Sequence, residues 1–73
     1  MSRFNITASD GKSYSYGYDR PLGEFFLQSD DEELVGNLSD RRGTAGNVLA
    51  VADSLGIVLP AEHVTALASD LPI

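Results

Sequence analysis

The sequence predicts an α+β domain in which a small antiparallel sheet of three to four strands is followed by two short helices. Three observations support this prediction. Apolar and polar residues alternate with a period of two in much of residues 1–40, residues 12–27 hold all three tyrosines and two of the three phenylalanines, and apolar residues take helical spacing within 44–71. Because 73 residues are the length of one domain, we expect a single domain over 1–73.

The first two strands are predicted from strict alternation on either side of a turn signal. Residues 3–8 alternate apolar and polar side chains, and Tyr14, Tyr16 and Tyr18 then alternate with small residues. An Asp-Gly pair at 10–11 separates the two runs and is typical of a tight hairpin turn.

The length of the hairpin loop decides which face of the sheet the tyrosines share. A two-residue loop would place them on the face of Asn5 and Thr7, away from Phe4 and Ile6. A three-residue loop with Gly11 in a left-handed conformation instead pairs Ile6 with Tyr14 and Phe4 with Tyr16. We favour the second register because it gathers the rings on one face, where cross-strand aromatic pairs contribute ~0.2–1 kcal/mol each.

Residues 24–28 predict a third strand, with Phe25 and Leu27 on one face and Phe26 on the other. Phe26 then needs a cover of its own. The alternative is a short helix capped by Asp19, with the proline at 21 in its first turn.

The acidic run 29–33 is compatible with two structures. As Ser-x-x-Glu it could open a helix with a capping box. As a turn it would lead into a fourth strand over 33–39, with Leu34 and Leu38 on one face. We favour the strand, because Gly36 in a helix interior costs ~1 kcal/mol relative to alanine.

The first helix is predicted to begin after Thr44, a good N-cap residue, and to end at Gly56. Its expected buried stripe consists of Val48, Val51, Ala52 and Leu55.

A second helix is predicted to begin at Pro60, because proline is tolerated in a first helical turn. Its expected buried stripe consists of Val64, Leu67, Ala68 and Leu71.

The charge of the chain is strongly unbalanced. Eleven acidic side chains oppose five basic ones, giving a formal net charge of −6, and all five bases lie in the first 42 residues. A surface of this sign repels nucleic-acid phosphates and membrane headgroups but attracts basic protein surfaces. The chain has no cysteine, and no apolar run approaches the ~20 residues of a membrane span. We therefore expect a cytoplasmic protein that binds neither nucleic acid nor membrane directly.

No stretch matches a catalytic, cofactor-binding or metal-binding motif. His63 is the only histidine, and its neighbour Glu62 would lie on a different side of the helix. The acids at 30–33 are consecutive, whereas a calcium loop alternates its ligands. The arginines at 41–42 are followed by no further basic residue, so the chain lacks the cluster of positive charges expected of an RNA-binding surface. We expect no catalytic residue, no cofactor and no metal.

Asp53, Ser54 and Leu55 resemble the attachment stretch of acyl carrier proteins, in which a serine of an Asp-Ser-Leu sequence carries the prosthetic arm. Residues 56–62 are also similar to a turn near the far end of the carrier fold. In a carrier, however, the serine begins a long helix that precedes this turn, whereas Ser54 lies at the predicted end of its helix. Val51 also replaces the glycine of the carrier motif, so the sequence favours another fold.

These exclusions leave a small, acidic, non-enzymatic interaction protein. We expect an inhibitor that occupies a basic, nucleic-acid-binding surface of a partner protein by imitating phosphates. In size and charge the chain resembles the small acidic inhibitors that phages encode against host defences, including anti-CRISPR proteins, which would place it in the host cytoplasm. The residues expected to contact the partner are five acids and two aromatics: Asp30, Asp31, Glu32, Glu33, Asp40, Tyr18 and Phe26.

The alternative is a cytosolic adaptor or subunit that docks, or forms a homodimer, through its aromatic face or helical stripes. The two hypotheses differ in salt dependence, because binding through charges weakens as salt rises and apolar docking is nearly indifferent to it.

Overall fold

The computed structural model describes residues 2–36 and 41–73, which form a four-stranded antiparallel sheet followed by two helices. The strands lie in the sheet in chain order, β1-β2-β3-β4. This arrangement confirms the predicted α+β class. The elements are β1 (Phe4–Thr7), β2 (Ser13–Asp19), β3 (Glu24–Ser29), β4 (Glu33–Val35), α1 (Ala45–Ser54) and α2 (Ala61–Ala68).

The β1–β2 hairpin has the register predicted from a three-residue loop. Phe4 pairs with Tyr16 and Ile6 with Tyr14, and all four side chains pack in or against one core. Gly11 has φ of +89°, the left-handed conformation that a residue with a Cβ adopts only at a cost. The loop length therefore places the tyrosines on the apolar face of the sheet.

Residues 24–28 form a strand, as predicted, and the alternative helix capped by Asp19 does not form. A short turn connects β2 to β3, in which the amide of Gly23 donates to the carbonyl of Arg20. The proline at position 21 therefore lies in this turn, where it removes no hydrogen bond from the sheet.

Phe26 lies on the outer face of the sheet, where it is covered by the beginning of the chain. Its ring is opposite Gly17 and beneath the guanidinium of Arg3, whose Cζ is 5.1 Å from the ring centroid. Ser2 continues the pairing of β1, because its amide donates to the carbonyl of Tyr18 at 3.0 Å. Only 7% of Phe26 remains exposed.

A β-bulge interrupts the pairing of β3 with β4. Leu27 lies opposite Val35, but Gln28 lies opposite Glu33, so that Leu34 is an extra residue in β4. Val35 is fully buried and Leu34 is only half-buried. The strand predicted over 33–39 is thus seen at Glu33–Val35 instead of the alternative helix, and Leu38 lies outside the described residues.

Helix α1 begins and ends as predicted. The Oγ1 of Thr44 accepts a hydrogen bond from the amide of Asn47 at 3.2 Å, which caps the first turn. Val48, Val51 and Ala52 are buried, and the chain leaves the helix through Gly56 in a left-handed conformation. The fourth residue of the predicted stripe, Leu55, is the C-cap and is half-buried.

Helix α2 forms, but its buried face differs from the predicted stripe. Leu67 is 2% exposed, whereas 41% of Val64 is exposed and Leu71 lies beyond the last helical turn, in solvent. His63 and Ala66 are half-buried beside Leu67. The helix is therefore rotated by about one residue from the most apolar stripe, because a polar contact of His63 with the sheet fixes its inner face.

The core lies between one face of the sheet and the two helices. Its largest fully buried side chains are Tyr16, Leu27, Val35 and Val48, which come from β2, β3, β4 and α1. None of the charged or polar side chains in the described residues is buried as a whole.

Candidate interaction surfaces

The β3–β4 turn presents three consecutive acidic side chains to solvent. The Oγ of Ser29 accepts hydrogen bonds from the amides of Asp31 and Glu32 at 3.3 and 3.2 Å, and the amide of Ser29 donates to the carbonyl of Glu32 at 2.8 Å. Asp30, Asp31 and Glu32 are exposed, whereas Glu33 begins β4 and is half-buried. We call residues 30–32 the acidic turn. Its backbone is held by these bonds, so its carboxylates project from a fixed loop.

The acidic turn lines an open groove of about 410 Å³ at one end of the sheet. Lys12, from the tip of the β1–β2 hairpin, also lines this groove. The rest of the wall includes the apolar side chains of Tyr14, Leu34 and Leu55, which come from β2, β4 and the end of α1. We call this feature the tip groove. It combines carboxylates with apolar surface, a combination that the sequence did not predict.

The structure does not bring the two predicted aromatic contact residues to the acidic turn. Tyr14 pairs with Ser29 beside the turn, whereas Tyr18 lies at the far end of β2, half-buried, with its ring 4.8 Å from that of Phe25. Phe26 is buried under Arg3, so its ring is not available for docking as we had expected. The last predicted acid, at position 40, lies outside the described residues.

A second group of acids lies on the outer face of the sheet around Phe26, and it includes Glu33, which was expected to act with the acids at 30–32. Asp19 is directly opposite Glu24 in the β2–β3 pair, an arrangement of like charges that destabilises a sheet. Glu24 and Glu33 line a small cavity of about 100 Å³ there. Within residues 2–36 and 41–73, the Oε2 of Glu24 is buried without a hydrogen-bond partner. The signal that could have revealed this group is the alternation within β3, which places Glu24 on the same face as Phe26.

His63 contacts the sheet through two aromatic residues. Its Nδ1 lies 2.6 Å from the Tyr16 hydroxyl, and its ring centroid is 4.4 Å from that of Phe4. Burial, and secondarily the charge of Glu62, raises the pKa of Tyr16, so its hydroxyl is protonated at neutral pH. The tautomer of His63 determines which of the two groups donates in this hydrogen bond. Because Tyr16 is only 1% exposed, the contact between the two residues holds α2 against the sheet.

Two further sites considered from the sequence have no support in residues 2–36 and 41–73. The Oγ of Ser54 donates to the carbonyl of Val51 at 2.8 Å in the last turn of α1, so this serine does not begin a helix as in the acyl carrier fold. The part of the chain that the structure describes contains no group of three or more histidine, cysteine or acidic side chains placed to hold a metal ion.

Apolar side chains are exposed where the α1–α2 connection meets α2. Val58 is 86% exposed, and Val64 lines an open groove of about 280 Å³ with Leu49 and Leu59. We call this feature the helical groove. Asp53 also lines the helical groove. This groove is the second surface on which a partner could dock.

No family model, no curated protein and no solved structure shows significant similarity to this chain. Neither α1 nor α2, the helices of the described residues, has the length and apolar character needed to cross a bilayer. Since no known protein gives a match, the function must be inferred from the surfaces of the chain itself.

Proposed function

We propose that this chain is a non-enzymatic inhibitor that binds a basic, nucleic-acid-binding surface of a partner protein and so displaces nucleic acid from it. The observation behind the proposal is the acidic turn, in which Asp30, Asp31 and Glu32 are all exposed on a loop closed by Ser29. It is an inhibitor of the kind that phages encode against host nucleic-acid-binding complexes, and it acts in the host cytoplasm.

A fixed loop suits this role because binding loses affinity whenever a flexible segment has to be ordered. Duplex DNA carries one negative charge per ~1.7 Å of its axis, so a protein that binds DNA presents closely spaced lysines and arginines. Three adjacent carboxylates can engage several of these basic side chains at once. The net charge of −6 adds a long-range attraction that speeds encounter with a basic surface.

The proposal can be tested by capturing partners from a host lysate on immobilised protein, identifying them, and measuring competition with their nucleic acid. We expect the wild-type chain to displace nucleic acid and the Asp31→Lys variant to need about tenfold more protein, which corresponds to ~1.4 kcal/mol. The matched control is Glu62→Lys, an exposed change of the same charge on α2 at a residue that lines neither groove. If the two variants compete equally, only net charge matters, and the acidic turn is not the binding surface.

A second candidate function is that of an adaptor or subunit that docks through apolar contacts. The exposure of Val58 and Val64 beside the helical groove favours it. In that case Val58→Ser would weaken partner binding while Asp31→Lys would not, and the affinity would change little between low and high salt. Sedimentation at increasing protein concentration would reveal a homodimer formed through the same surface.

A further inference from the structure

The tip groove has an apolar wall beside its carboxylates. Three exposed carboxylates would suffice to imitate phosphates, yet beside them lie the half-buried side chains of Leu34 and Leu55 and the edge of Tyr14. These apolar residues come from three separate elements. Their convergence beside the acidic turn requires an explanation that phosphate imitation alone does not supply.

The position of Leu34 results from the β-bulge. In regular pairing Leu34 would lie opposite Gln28, but Glu33 lies there instead, and Val35 fills the core. Bulges re-aim side chains and are common at sheet edges and beside functional sites. Here the extra residue leaves a leucine half-buried at the wall of the tip groove, directly after the acids.

We infer that the tip groove binds an arginine or lysine of the basic partner together with an apolar side chain next to it in the partner sequence. This inference rests on the proposed function and specifies the unit that the acidic turn recognises. Charge complementarity supports it, because three carboxylates face a single ammonium group, that of Lys12, around the groove. Long basic side chains pack their aliphatic stems on apolar surface while the charged head reaches a carboxylate. The volume of about 410 Å³ is within the ~300–1,000 Å³ range of small-ligand sites.

Two short capped peptides test the inference without knowledge of the partner. One has the sequence Gly-Arg-Leu-Arg-Gly and the other Gly-Arg-Ser-Arg-Gly, and each is titrated into the isotope-labelled chain while amide shifts are followed by NMR. We expect both to shift the amides of residues 30–32, with the leucine peptide binding at least about fivefold more tightly because it buries an apolar side chain.

Variants assign this preference to the groove. Leu34→Ser should abolish the advantage of the leucine peptide, whereas Leu22→Ser, a change at an exposed leucine of the β2–β3 turn, should leave it intact. Lys12→Gln, an exposed change that leaves the apolar wall in place, should tighten binding of both peptides by removing the one positive charge.

The outcomes separate the two proposals. If both peptides bind equally at residues 30–32 and both dissociate as salt rises, the acidic turn binds basic side chains but the inference about the apolar wall is wrong. If Lys12→Gln leaves both affinities unchanged, the inference is also wrong. If neither peptide shifts the acidic turn, or Asp31→Lys has no effect on binding, the proposed function fails together with the inference.

Discussion

Gly17→Ala should destabilise the protein, although an alanine is ordinarily the better residue in a strand. A Cβ at this position would overlap the carbonyl oxygen of Ser2 and would lie 2.8 Å from its carbonyl carbon. It would also lie 3.1 Å from Cε1 of Phe26. Because the backbone of Ser2 is the nearest obstacle, the start of the chain must move away from the sheet.

The size of the effect follows from the hydrogen bonds that would break. The amide of Ser2 donates to the carbonyl of Tyr18 at 3.0 Å, and the amide of Tyr18 donates to the Oγ of Ser2 at 2.9 Å. Loss of both costs ~1–3 kcal/mol. Replacing glycine by alanine offsets ~0.5–1 kcal/mol of this through chain entropy. The net loss is ~0–2.5 kcal/mol, which lowers the melting temperature of a domain this small by up to ~20 °C.

Thermal and urea unfolding of two glycine variants measure this directly. The control is Gly46→Ala in α1, where an added Cβ has no heavy atom within 4 Å beyond its own neighbourhood. It should stabilise the protein by ~0.5–1 kcal/mol. A chain that lacks residues 1–3 has already lost both bonds of Ser2, so in that chain Gly17→Ala should cause no further loss of stability. A rise in melting temperature for Gly17→Ala in the full chain would show that Ser2 does not pack over the sheet.

Three further predictions concern the helices, the core tyrosine and the acidic turn. Leu67→Ala should cost ~2–5 kcal/mol in urea unfolding. Val64→Ala should cost under ~1 kcal/mol, because 41% of Val64 is exposed against 2% of Leu67. Similar losses for both would contradict the observed face of α2. Burial raises the pKa of Tyr16 above its ordinary value of 10.0, so the unfolded chain loses this proton at a lower pH than the folded protein does. The contribution of Tyr16 to the free energy of unfolding is therefore complete below pH 10.0 and declines as the pH rises above that value. The Tyr16→Phe variant should lack this part of the decline. Ser29→Ala should weaken competition with nucleic acid at unchanged net charge, because the turn loses its side-chain hydrogen bonds; equal competition by this variant would mean that the turn need not be fixed.

The hairpin and α1 could be predicted because local rules decide them. The Asp-Gly pair restricts the loop, and only one register places Phe4 and Ile6 with the tyrosines, so loop chemistry and apolar pattern agree. Thr44 and Gly56 mark the two ends of α1 in the same way, through a capping hydroxyl and a left-handed glycine.

The face of α2 could not be predicted, because a contact distant in sequence decides it. Apolar spacing favours Val64 and Leu71, and a helical wheel gives no reason to turn a histidine inward. The reason is the hydroxyl of Tyr16, 47 residues away, which provides the polar partner that a half-buried His63 needs.

Of the residues that line the tip groove, only the acids were predicted from the sequence to contact a partner. Exposure of residues 30–32 follows from their charge. Alternation of apolar residues cannot reveal the extra residue of a bulge, so the position of Leu34 at the groove could not be predicted. The contribution of Leu55 depends on how α1 lies on the sheet, which no local pattern contains.

The order of strands in the sheet has a consequence for synthesis of the chain. Because β1 to β4 are neighbours in sequence as well as in space, each hairpin can pair as soon as it leaves the ribosome. The apolar face of that sheet, however, is covered by helices that are translated after all four strands, and the partner of Tyr16 follows it by 47 residues. A nascent sheet with its tyrosines uncovered is the state most exposed to aggregation. Slow translation after β4 would prolong that state, and rapid translation of the helical part would shorten it.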